Sequence, residues 1–219
     1  MSFQNKKLSF FQNDIPDDFQ LHGALAIDTE AMGLNNIRDR LCMIQICDES
    51  GNVALIHFPN SNYNYECKNL KKYLTDPKIE KIFHFARFDV AIIKHYLQIS
   101  KIENIYCTKI ASKFARTYTD KHSLKNLVNE MLGIELKKEQ RSTNWGQDDV
   151  TMEQKRYAEQ DVLYLHELKQ ILEKMLEVSK RTKIVKDFSN FIDTIASADL
   201  MGFSNDIFSH HSNPVVVGS

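Results

Sequence analysis

Four acids in three separate stretches carry the first chemical signal. Asp28-Thr29-Glu30 closes a short apolar run, Asp89 ends His84-Phe85-Ala86-Arg87-Phe88-Asp89, and Asp161 follows Tyr157 by four residues. On a strand, positions i and i+2 share a face. Asp28 and Glu30 therefore project side by side at a strand's C-terminal edge, where open α/β sheets bind ligands. Adjacent carboxylates repel and desolvate one another, and a divalent cation resolves the conflict. Asp89 opens a helix, a place where an acid also serves as a cap. Tyr157 and Asp161 share a helix face with Leu165, Leu168 and Leu172, which sets Asp161 at the border of an apolar stripe, a poor place for an unpartnered carboxylate. The four acids carry a formal −4, which two divalent ions neutralise. An all-oxygen donor set without Cys or His selects Mg²⁺ or Mn²⁺ over zinc. Two such ions ~3.5–4 Å apart clamp the attacking and leaving oxygens of an in-line displacement at phosphorus. The expected chemistry is phosphodiester hydrolysis.

Hydrophobic patterning supplies the elements that must position these acids. Residues 24–28, 41–47 and 53–58 read as strands, the last two joined as a hairpin through Asp48, Ser50, Gly51 and Asn52. Residues 81–85 read as a strand feeding a helix over 89–98, and 105–107 as a fifth short strand. Helical spacing covers 66–74, 109–116, 123–132 and a long segment from 152 to about 178, where Thr151 and Gln154 resemble a capping box. A short last helix is expected over 188–201, and irregular chain over 202–219. Hairpin and βα units together predict an α/β domain: a mixed five-stranded sheet flanked by helices, with a helical C-terminal half. One domain is expected over residues 1–211, with 212–219 a tail.

Composition narrows the class. A chain of 219 residues with 42% hydrophobic and 26% charged residues, 7 Gly and 4 Pro excludes disordered and collagen-like chains and suits one core. No stretch approaches the ~18 apolar residues of a membrane span, and the N-terminus lacks a signal-peptide core, so a cytoplasmic protein with no membrane partner is expected. Cys42, Cys47, Cys67 and Cys107 include no CxxC pair, which favours reduced thiols over disulfides or a zinc ribbon. The net charge of −1 divides unevenly: residues 109–141 hold eight Lys/Arg against four acids, and 142–219 hold eight against twelve. The basic middle is the candidate phosphate-facing surface. A protein gripping long nucleic acid through phosphates would need more charge.

The three acidic stretches resemble the exonuclease motifs of the DEDD superfamily, in the branch that places tyrosine four residues before the final aspartate and includes ribonuclease D. The resemblance is closer to the compact bacterial oligoribonucleases known as nano-RNase C. It rests on Ala26-Ile27-Asp28-Thr29-Glu30-Ala31-Met32-Gly33-Leu34, Arg38-Asp39-Arg40-Leu41-Cys42, Asp199-Leu200-Met201-Gly202-Phe203 and Asp206-Ile207-Phe208. It runs from about residue 20 to 210, with no following segment for the accessory RNA-binding domains of ribonuclease D. Phe85 departs from the Asn found near this position in many superfamily members, and Asn144 from the Asp often seen before tryptophan in ribonuclease D-like sequences.

This resemblance implies an RNase H-like fold with two ions, Mg²⁺ or Mn²⁺, held by Asp28, Glu30, Asp89 and Asp161. Tyr157 would position the attacking water and help to deprotonate it. The implied activity is 3′–5′ hydrolysis of short single-stranded RNA, down to dinucleotides, to nucleoside 5′-monophosphates. Met32, Gly33 and Leu34 would wedge against the terminal bases, although Met32 and Leu34 also fit a core. His84 and Arg87 would reach phosphate oxygens, and Trp145 would stack a base or else pack inside. The implied partners are the RNA, or DNA, and copies of the chain itself in a ring built from dimers, up to an octamer. The alternatives are a ribonuclease D-like exonuclease trimming longer RNA or DNA 3′ ends, and a non-catalytic RNA-binding module.

Overall fold

A computed structural model describes residues 7–136 and 144–203. Six strands lie in its first half: β1 (Leu8–Gln12), β2 (Leu25–Ala31), β3 (Leu41–Asp48), β4 (Val53–His57), β5 (Lys81–Phe83) and β6 (Ile105–Cys107). Among the described residues seven helices are interspersed or follow: α1 (Lys68–Thr75), α2 (Ala86–Leu97), α3 (Thr108–Ala115), α4 (Leu124–Leu132), α5 (Met152–Leu163), α6 (Leu165–Val178) and α7 (Thr182–Leu200). The strands form one mixed sheet in the order β1-β4-β3-β2-β5-β6. Antiparallel ladders join β2, β3 and β4, and β1, β5 and β6 add in parallel.

The sheet carries one strand more than the sequence predicts. β1 pairs with β4, Leu8 opposite Val53. A parallel partner so distant in sequence leaves no turn signal to read. The long C-terminal helix is also divided: Tyr164, at φ −104° and ψ −2°, ends α5 and begins α6. The leucine stripe belongs to α6, where Leu165, Leu168, Leu172 and Leu176 are buried, while Asp161 stays on α5. The last helix is longer than expected and occupies nineteen residues. Residues 204–219, with Asp206-Ile207-Phe208 and the expected tail, lie outside the described residues, as do Lys137, Lys138 and Arg141 of the basic stretch.

Strand alternation sends side chains to two cores. Leu25 and Ile27 of β2 join one with α1, α2 and α7, whereas Ala26 joins the other with α3 to α6. Two ion pairs fasten α7 across α2. Buried Lys94 donates to Asp193 Oδ1 at 2.6 Å and Ser197 Oγ at 2.8 Å, and Arg87 grips both carboxylate oxygens of Asp199. All four cysteines are buried free thiols. Among the described residues no helix is long and apolar enough to cross a membrane.

Candidate active site

The parity of β2 decides where the acids go. Asp28 and Glu30 share the face of Ala26, toward α5, while Thr29 shares the face of Ile27, toward α2. The β2–β5 ladder covers only Leu25 and Ala26, so the acidic half of β2 runs past the end of β5. α2 begins just beyond β5, and Asp89 meets β2 from the far side: Thr29 Oγ1 donates to Asp89 Oδ1 at 2.7 Å. From the near face α5 presents Tyr157 and, one turn on, Asp161. Carboxylate oxygens of Asp28, Glu30 and Asp161 lie within 4.8 Å of one another.

The electrostatics are those of crowded anions. Burial pushes the Asp28 carboxyl well above the usual carboxylate range, with Asp89, Asp161 and Glu30 adding to the rise. Asp89 is pushed up to about 7, chiefly by burial, against the lowering effect of the Thr29 hydroxyl. Asp28, Glu30 and Asp161 bring hard-donor oxygens from one strand and one helix together, with Asp89 on α2 near enough to raise Asp28, and such a set suits divalent cations such as Mg²⁺ or Mn²⁺. The donor set thus fits the expected metal.

A cavity of about 310 Å³ opens over the acids. Asp28, Glu30, Asp161, Tyr157 and His84 line it, and so do Phe85, Lys109, Ser123, Lys125 and Gln160. The latter five were not singled out as site residues by sequence. Lys109 and Lys125 belong to the basic middle stretch and Phe85 to the departure in the second motif, but their meeting around one cavity depends on the packing of α2, α3 and α4. His84 carries no positive charge near neutrality, because burial and then Lys109 drive its pKa down to about 3. Its Nδ1 lies 2.9 Å from Thr108 Oγ1. It meets the cavity as a neutral imidazole and not as a cation for phosphate.

Three further expectations are corrected or sharpened. Arg87 is bound to Asp199 at 2.6–2.7 Å and lines a neighbouring apolar cleft instead of the acid-lined cavity. Trp145 is only 2% exposed, with its carbonyl 3.2 Å from His57 Nε2 and its ring 6.1 Å from that of Tyr157. It packs behind Tyr157 and offers no face to a base. Met32 and Leu34 are 53% and 89% exposed, which removes the core alternative for both. Between them, Gly33 leaves room for Asp39: a Cβ there would fall 2.2 Å from Asp39 Oδ2, the oxygen that accepts the amide of Asn35 at 3.0 Å. Sequence also missed Gln45, opposite Asp28 on β3, fully buried with neither amide atom hydrogen-bonded.

Comparison with known proteins places this geometry among nucleases. Residues 8–177 match a family described as 3′-5′ exonuclease. Ribonuclease D of Bartonella henselae is 30% identical over 163 residues, 74% of this chain and 39% of that protein. The chain therefore spans about two fifths of the length of this curated relative. Among solved structures, Brucella melitensis NrnC is 43% identical with a TM-score of 0.86, covering 94% of this chain and 100% of that one. The same protein with bound Mg²⁺ gives 42% and 0.85, and bound to pGG 42% and 0.87, at equal coverage.

Proposed function

The chain belongs to the 3′-5′ exonuclease family, and from that premise we propose that it is a metal-dependent exoribonuclease that cuts short oligoribonucleotides, dinucleotides included, to nucleoside 5′-monophosphates. One observation carries the reading. Three carboxylates from a strand and a helix converge within 4.8 Å on a cavity that also takes Tyr157. The cavity of about 310 Å³ is large enough to seat a terminal nucleotide against the acids. The similarity to a structure bound to pGG supports a short substrate.

Asp28, Glu30 and Asp161, with Asp89 behind β2, would hold two ions, Mg²⁺ or Mn²⁺. When bound, these supply Lewis-acid polarisation of the scissile phosphate and offset the charge that develops on it. Tyr157 orients the attacking water and accepts its hydrogen bond, since a phenol with an ordinary value near ~10 is a weak base at neutral pH. Thr29 fixes the Asp89 carboxylate by its 2.7 Å hydrogen bond. Met32 and Leu34, exposed beside Glu30, are placed to wedge against a terminal base. The same reading has copies of the chain assemble, supported by the exposed Ile184, Phe188, Phe191 and Met201 along and just after α7.

A 5′-labelled RNA dinucleotide tests the reading. Mg²⁺ or Mn²⁺ should support release of nucleoside 5′-monophosphate, and EDTA should stop it. Equal turnover by the wild type and Asp161→Asn would remove the carboxylate site from the account. Resemblance to ribonuclease D favours a second reading, trimming of longer 3′ ends, which substrate length decides.

A further inference from the structure

Phe85 departs from the Asn that many members of the resembling superfamily carry near this position. Its backbone is left-handed, φ 68° and ψ 44°, at the residue before α2, a conformation that Asn tolerates and a bulky side chain resists. Phe85 is nevertheless 51% exposed, so packing does not account for the ring. It borders both the acid-lined cavity and the neighbouring apolar cleft, and Lys109 Nζ sits 4.2 Å from the ring centroid. A strained, half-exposed aromatic on a cavity wall, already engaged by a cation, suits the face of a nucleobase.

The direction of the substrate follows from its phosphates. In 3′–5′ hydrolysis the terminal nucleotide brings only the scissile phosphate, and every further phosphate belongs to nucleotides on the 5′ side. Lys109 and Lys125 both line the cavity and carry the charge that such phosphates need, and Lys109 lies over the Phe85 ring. We propose that Phe85 stacks the base of the nucleotide immediately 5′ of the scissile bond, with Lys109 against the other face of the ring. The assignment rests on the exonuclease reading and names a specificity contact within it.

The test compares an RNA dinucleotide with one abasic at its 5′ nucleotide, using wild type, Phe85→Asn and Phe85→Trp. The wild type should favour the intact dinucleotide by about tenfold in kcat/KM, the scale of one base–aromatic stack. Phe85→Asn should bring that ratio close to one, mainly through KM, and Phe85→Trp should restore it. Relief of the left-handed strain should hold or raise the Tm of Phe85→Asn, which separates lost stacking from lost folding. A readout independent of turnover uses 2-aminopurine as the 5′ base with slow Tyr157→Phe protein: its fluorescence should be quenched on binding, and less so when Phe85→Asn is added. An unchanged ratio and unchanged quenching in Phe85→Asn overturn the assignment, including where a change in oligomer mass reveals Phe85 as a subunit contact. If the wild type cleaves both dinucleotides equally, the stacking contact alone fails; if it cleaves neither, the exonuclease reading itself has failed.

Discussion

Without divalent metal, the stability of this protein should fall as pH rises, and metal should abolish the slope. The Asp89 carboxyl is pushed up from 3.8 to about 7 by burial, and Asp28 is raised in the same sense by burial and its anionic neighbours. An acid whose folded pKa exceeds its unfolded value leaves the folded state holding more protons than the unfolded chain. Its stabilising contribution is complete below pH ~4 and is lost as pH climbs through about 7. For Asp89 alone, at ~1.36 kcal/mol per pH unit, the loss is on the order of 4 kcal/mol. In a chain of this size that corresponds to roughly 10 °C in Tm. Divalent ions bind the ionised, folded cluster and not the unfolded chain, so their stabilisation grows as Asp89 ionises, is largest above about pH 7 and opposes the metal-free loss. Thermal unfolding in EDTA, and in millimolar Mg²⁺ or Mn²⁺, across a pH series from ~5 to ~8 measures both effects. A metal-free Tm that is flat or rises over that window, or an equal slope with metal present, would refute the crowded-acid argument.

Other expectations follow from single contacts. Asp161→Asn should abolish turnover yet raise the metal-free Tm above pH ~7, because it removes one of the anions that raises Asp28; a lower Tm there would contradict the repulsion. Tyr157→Phe should keep a small residual rate, with a loss on the order of 10²–10⁴, and a steady-state assay that finds full activity would discard its role with water. Thr29→Val removes the 2.7 Å hydrogen bond that lowers Asp89, so the acidic limb of the pH–rate profile should move to higher pH; an unmoved limb would show that Thr29 does not position this carboxylate. Gln45→Leu replaces a buried amide that lacks hydrogen-bond partners, and chemical denaturation should register a gain of about 1–3 kcal/mol, with a loss of stability as the contrary result.

The acids were legible in sequence because their chemistry fixes residue type, and local patterning assigns each to its element: Asp28 and Glu30 to a strand end, Asp89 to the first turn of a helix after a strand, and Asp161 to a later helix. Asp28 and Glu30 could be put on one face from the strand period alone. The roles of Arg87 and Trp145 were not legible, since each depends on tertiary partners: Asp199 captures the guanidinium, and Trp145 is buried with its carbonyl at His57 and its ring beside Tyr157. Tyr164 is not legible as a break because the spacing of four from Tyr157 to Asp161 to Leu165 runs across it even though the backbone breaks there. β1 escaped because parallel pairing with β4 has no local signature. Lys109, Ser123 and Lys125 carry no motif, and only the packing of α3 and α4 brings them to one cavity.

The most direct measurement of the central claim is hydrolysis of labelled RNAs from two to about twenty nucleotides, with Mg²⁺ or Mn²⁺, with EDTA, and with Asp161→Asn in place of the wild type. The account predicts removal of 3′-terminal nucleoside 5′-monophosphates, fastest on the dinucleotide, and silence in the two controls. Efficient resection of the long strands with sparing of the dinucleotide, or cleavage that persists in EDTA and in Asp161→Asn, would contradict it.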